Sequence, residues 1–183
     1  MLKVESGVMR ETEFIKQISS FYDCEMREIL LKFLLYFNVF ENKFLCGESE
    51  KSDNLRKIIS NNSINIESTH QIYDFFVERY VQNGIINGCF ADLFYLRENG
   101  KYRDEETRTK IIENLKSNTS DKVTKTFTSL VIAYRFRNNL YHGNKSILHL
   151  DSYKECFNET NCFMESIIDS FNTDINGGTV CHV

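Results

Sequence analysis

Arg137, Asn138 and His142 stand in the run Tyr134-Arg-Phe-Arg-Asn-Asn-Leu-Tyr-His-Gly-Asn-Lys145, which carries the strongest chemical signal in the chain. An imidazole with an ordinary pKa of about 6.5 can take or give a proton near neutral pH. A guanidinium can hold two oxygens of one phosphate in its planar fork. Asn138 can donate or accept hydrogen bonds, and so can orient the imidazole or the phosphate. RNA carries its own nucleophile, the 2′-hydroxyl. Its cleavage needs a group to remove that proton and a cation to meet the charge of the phosphorane-like transition state. The products expected are a 2′,3′-cyclic phosphate and a 5′-hydroxyl, and DNA is expected to resist. The sequence offers no convincing carboxylate cluster for a metal, so the expected route needs no metal and no cofactor. Arg135, Tyr141 and Lys145 are candidate substrate-binding residues, with Tyr141 placed to line the cleft or stack on a base. A surface role suits Arg135 equally. Asn139 reads as a cap or surface group. His70 and His149 read as surface or packing residues, and His149 is a lesser candidate for lining the cleft.

An arginine and a histidine five residues apart are common, so the surrounding helix matters. At about 100° per residue, Val123, Phe127, Leu130, Tyr134 and Tyr141 form one apolar stripe. Ile132 and Phe136 fall on the opposite side. A helix apolar on two faces is sandwiched, and the second face needs another helix or another subunit. Asn138 and His142 are four apart and can touch. Arg137 and His142 lie roughly 140° apart around a regular helix. Either His142 swings away where the helix ends near Gly143, or two copies bring their motifs together across a two-fold axis.

The Arg137-Asn138-x-x-x-His142 pattern at the end of a buried helix resembles the signature of the HEPN superfamily. Its wording, Arg-Asn-Asn-Leu-Tyr-His-Gly, is similar to the Apea-type branch. The close resemblance covers roughly residues 120 to 170, and the preceding two thirds match only in helical character and length. The resemblance implies an all-α, up-and-down bundle of four to five main helices plus short ones. It implies a homodimer with one cleft formed from two protomers, and a metal-independent endoribonuclease acting as a toxin or antiviral-defence effector. An antitoxin or defence-complex partner belongs to the same expectation. The alternative within the family is a noncatalytic RNA- or nucleotide-binding or dimerisation module of a defence complex. Some relatives are silenced by nucleotidyl transfer onto a Tyr two residues after the motif His. Here that position is Asn144, so no such switch is expected.

Composition bounds the rest. The 183 residues suit one domain over 1–183, with 1–10 and 173–183 as loose tails. There is no proline and there are eight glycines, which favours long helices over a fold of many tight turns. A net charge of −4 argues against binding nucleic acid with the whole surface. Between Lys116 and His149, however, Lys116, Lys122, Lys125, Arg135, Arg137 and Lys145 face only one acid, Asp121. That stretch reads either as a local basic region for a phosphate backbone or as a lysine-rich solvated face. The opening residues lack the apolar core of a signal peptide, and no run reaches membrane-spanning length. A cytoplasmic location with reduced cysteines is expected. Cys181-His182 is not expected to be a metal site.

The apolar periodicity places the elements. A helix is expected from Thr12 with Phe14, Ile18 and Phe21 on one face. A long helix follows from Met26 to Phe44 and ends near Gly47. Leu31, Leu35, Tyr36 and Val39 widen its stripe and predict burial on more than one side. A short helix spans Leu55 to Ile59 and breaks at Asn61-Asn62-Ser63. Ser68 and Gln71 read as a capping box for a helix through Tyr80 that stops near Asn83-Gly84. A segment bearing Phe90, Leu93, Phe94 and Leu96 comes next. Asp104 is expected to cap a helix with Ile111, Ile112 and Leu115 inward. Ser120 opens the motif helix, and Asp151 caps a last helix through Phe171.

Overall fold

In the computed structural model the described residues are 23–45, 55, 56, 59, 66–94, 104–141 and 152–172. Helix α1 runs Cys24–Phe40, opened by Asp23, whose Oδ1 accepts from Met26 N at 2.8 Å. It continues into a widened π-type turn, Glu41–Leu45. Helix α2 is Ile66–Tyr80. A hairpin follows, pairing strands β1 (Val81–Gln82) and β2 (Ile85–Ile86) with Val81 opposite Ile86. Its turn takes Asn83 and Gly84 at φ 52° and 74°, as Asn-Gly favours in a two-residue loop. Helices α3 (Gly88–Ala91), α4 (Glu105–Ser117), α5 (Lys122–Tyr141) and α6 (Lys154–Asn172) complete the described chain. Among the described residues the fold is an all-α bundle of five main helices and one short one, as its sequence predicts.

Helix α5 is the central element. Every residue from 125 to 134 is buried. Helices α2 and α4 pack on it, while α1 lies along α6, and α2 also meets α6. On one face the Tyr134 ring stands edge-on to Phe37 of α1, with centroids 5.1 Å apart. On the other, Phe136 meets Phe76 of α2 at 6.3 Å and Phe157 of α6 at 5.9 Å. Both apolar faces are therefore covered from within the chain. Two inward hydroxyls of α5 find partners on other helices: Thr126 pairs with Thr69 at 3.3 Å, and Asn114 donates to Thr128 at 2.9 Å, whereas the Ser129 hydroxyl is buried without one. Such pairing keeps burial of hydroxyls from costing their full desolvation.

Four expectations need correction. Leu31 and Leu35 are 51% and 59% exposed, so α1 buries one side only. Four-residue spacing puts both on a row that no other helix among the described residues covers. The motif helix is opened by Asp121, not Ser120: its Oδ2 accepts from Thr124 N at 2.8 Å, and hydrogen bonds from the Thr124 hydroxyl first and then from its backbone N–H hold the carboxyl pKa below the ordinary value. Ser68 lies inside α2 rather than at its cap, and its Oγ meets Ser166 of α6 at 2.7 Å. Asp104 precedes α4 but makes no side-chain cap bond, because its carboxylate is engaged by Arg135. The expectations at Phe14, Ile18, Phe21, Gly47, Asn61–Ser63, Leu96, Asp151 and both tails lie outside the described residues.

Phe33 is fully buried and packs against Phe37 and Phe157, each at 4.9 Å. Phe33→Ala is expected to cost about 3–5 kcal/mol, whereas Leu35→Ser on the same helix should stay within about 0.5 kcal/mol. Urea unfolding of the two variants checks this, and equal losses would contradict the one-sided burial of α1.

Candidate functional site

Arg137 sits just before the last turn of α5, on a half-buried side of the helix. Its Nη2 donates to Glu41 Oε2 at 3.1 Å, and its Nη1 donates to Asn138 Oδ1 at 3.1 Å. Different terminal nitrogens of the fork are thus held by different helices' residues. Glu41 opens the π turn at the end of α1, and its backbone N–H is shared between the carbonyls of Asn38 and Phe37. Turns of this type recur at functional sites. The Arg137 and Glu41 side chains are 26% and 28% exposed, so water reaches the pair. Pairs open to solvent contribute only about 0.2–1 kcal/mol. An incoming anion would therefore meet an oriented guanidinium that is not locked away.

The other expected residues divide clearly. Asn138 is brought to Arg137. Arg135 is placed elsewhere: Nη1 contacts Asp104 Oδ2 at 2.7 Å, and the guanidinium lies 4.9 Å from the centre of the Phe94 ring. As placed, it ties the start of α4 to α5. Asn139 is 5% exposed, not a surface group. Its Nδ2 donates to the carbonyls of Asp92 and Leu93, both at 3.2 Å, and so anchors the turn after α3 to α5. His70 is half-buried on α2. His142, Lys145, His149 and the side chain of Tyr141 lie outside the described residues.

Part of the sequence-local excess of positive charge is neutralised within the fold. Lys125 is 7% exposed, reaches Asp74 Oδ1 at 3.1 Å, and lies over the Tyr73 ring. Arg135 meets Asp104 and Arg137 meets Glu41. Three of the six cations are matched by acids brought in from other helices, which no local count of charge can see. The second apolar face of α5 likewise carries no argument for a second subunit, because α2 and α6 cover it.

No family model, curated protein or solved structure matches the chain. The site must be read from its own residues. Among the described residues no group of three or more His, Cys, Asp or Glu is placed to hold a metal, and Cys24, Cys89, Cys156 and Cys162 are free thiols. Among those residues no helix is long and apolar enough to cross a membrane.

Sequence reasoning missed Glu41. It is separated from Arg137 by 96 positions, and a single carboxylate at the end of an apolar helix carries no pattern.

Proposed function

We propose that the chain is a metal-independent endoribonuclease of the HEPN type. One observation carries the reading: the guanidinium that the motif reserves for phosphate is held from two sides, by Glu41 and Asn138, at the solvent end of a buried helix. Orientation before the substrate arrives is what makes a charged donor effective in a transition state. In this reading Arg137 holds the scissile phosphate and stabilises charge on its equatorial oxygens. His142 takes the proton from the 2′-hydroxyl or delivers one to the leaving 5′-oxygen. Asn138 sets the angle of the fork. Arg137 and His142 are five apart, roughly 140° around a regular helix. Two copies meeting across a two-fold axis solve that geometry, each giving one of the two groups to a shared cleft. A toxin or defence effector is the biological role that fits such an enzyme, with an antitoxin or complex partner to restrain it.

A second reading has its own support. A carboxylate–guanidinium pair between the ends of two helices is also what a purely structural tie looks like, and a noncatalytic RNA-binding module would keep it. One experiment separates the two. Purified protein is incubated with end-labelled RNA, and with DNA of the same sequence, in excess EDTA. The nuclease reading expects RNA fragments ending in 2′,3′-cyclic phosphate and intact DNA. RNA bound but uncut would favour the binding module, and DNA cut as fast as RNA would exclude attack by the 2′-hydroxyl.

A further inference from the structure

Cleavage of RNA by its own 2′-hydroxyl moves two protons. One leaves that hydroxyl as its oxygen attacks phosphorus, and one joins the 5′-oxygen as its bond to phosphorus breaks. Attacking and leaving oxygens stand roughly in line, on opposite sides of the phosphorus, so two different groups serve the two transfers. The motif contains one such group, His142. The fold brings a second to the motif arginine.

Glu41 Oε2 lies 3.1 Å from Arg137 Nη2. Packing fixes the register that places it there. Phe40, the residue before Glu41, is fully buried, with its ring 6.2 Å from Tyr134 of α5 and 4.7 Å from Phe44. Tyr134 is about one helical turn before Arg137, so the ring contact and the ion pair set one alignment of α1 against α5. Leu45 is buried and anchors the far end of the π turn. The Glu41 carboxylate therefore rides on a held backbone while its side chain remains open to water. A base on a rigid element, within reach of substrate, is what proton transfer requires. The other carboxylates paired with α5, Asp74 and Asp104, meet Lys125 and Arg135 instead.

We propose that Glu41 is a catalytic residue, the general base that takes the proton of the 2′-hydroxyl, leaving His142 as the general acid. The proposal rests on the ribonuclease reading and adds to it the direction in which protons move. A phosphate held by Arg137 becomes the neighbour of the Glu41 carboxylate on one cation. A neighbouring negative charge favours the protonated form of a carboxylate, and so strengthens it as a base when the phosphate arrives. The 2′-oxygen bonds to phosphorus as its proton passes to a Glu41 oxygen. The bond from phosphorus to the 5′-oxygen breaks, and that oxygen takes a proton from the His142 imidazolium. The products are the 2′,3′-cyclic phosphate and the 5′-hydroxyl, and exchange with solvent resets both groups.

The test is single-turnover cleavage, in EDTA, of RNA with an ordinary linkage and of RNA in which sulfur replaces the leaving 5′-oxygen. Sulfur departs as a thiolate and needs no general acid. Glu41→Gln keeps an oxygen to accept from Arg137 but cannot act as a base, and it is expected to slow both substrates by about 10²–10⁴-fold. His142→Ala should be slow on the ordinary linkage and largely restored on the sulfur one. Glu41→Asp, which keeps a carboxylate, should recover part of the rate. Glu41→Gln cutting at the wild-type rate, or restored by sulfur, would overturn the proposal and leave the ribonuclease reading standing. Orientation of Arg137 alone is excluded in an Arg137→Ala background, where adding Glu41→Gln should slow the sulfur substrate further; no further loss would make Glu41 a positioning residue and overturn its role as base. Absence of cleavage by the wild-type protein would sink the ribonuclease reading and this proposal with it.

Discussion

Arg137→Ala is expected to slow RNA cleavage by about 10²–10³-fold under single-turnover conditions, the loss typical of removing one preorganised donor to a transition-state oxyanion. The argument is geometric. The guanidinium is oriented at both terminal nitrogens by Glu41 and Asn138, so on the proposed ribonuclease reading its alignment would not have to be found anew in each reaction cycle. Alanine removes the charge and leaves the Glu41 carboxylate in its place, which adds repulsion toward phosphate. Arg137→Lys should recover only part of the rate, because an ammonium is a point charge that cannot span two oxygens in a fixed plane. Stability should change little, since the pair is open to water. Urea melts of both variants beside the wild type separate catalysis from folding. A variant that is half unfolded, or one that cuts at the wild-type rate, would each count against the assigned role.

His142→Ala is expected to cost about 10²–10⁴-fold, the range for losing one general acid or base. Its signature should be in the pH profile as well as the rate. Wild-type cleavage should show a limb in the region where an imidazole titrates, and that limb should vanish in the variant while binding of uncleavable RNA persists. Persistence of the limb would assign the proton transfer to another group.

Much of the fold could be read from spacing. The three- and four-residue recurrence of Met26, Ile29, Leu30, Phe33 and Phe37 marks α1, and all five are buried. Leu31 and Leu35 misled because hydrophobicity reports what a residue tolerates, not which neighbour arrives, and among the described residues no helix arrives on that row. The hairpin at Asn83-Gly84 was legible in principle, since Asn-Gly is a strong turn signal, but two-residue strands are too short to show alternation. At the site, adjacency made Arg137 and Asn138 readable as a unit. Glu41, Asp104 and Asp74 were not readable as their region's counter-charges, because each arrives from a different helix. Asp104 shows the same limit in reverse: its local pattern says cap, and a cation from α5 claims its carboxylate instead.

A co-crystal structure with 2′-O-methyl RNA tests the central claim most directly. The account expects a phosphate oxygen about 2.7–2.9 Å from an Arg137 terminal nitrogen, the length of a charge-assisted bond, with Asn138 still on the fork. RNA bound elsewhere, with the guanidinium turned only to Glu41 and Asn138, would contradict it.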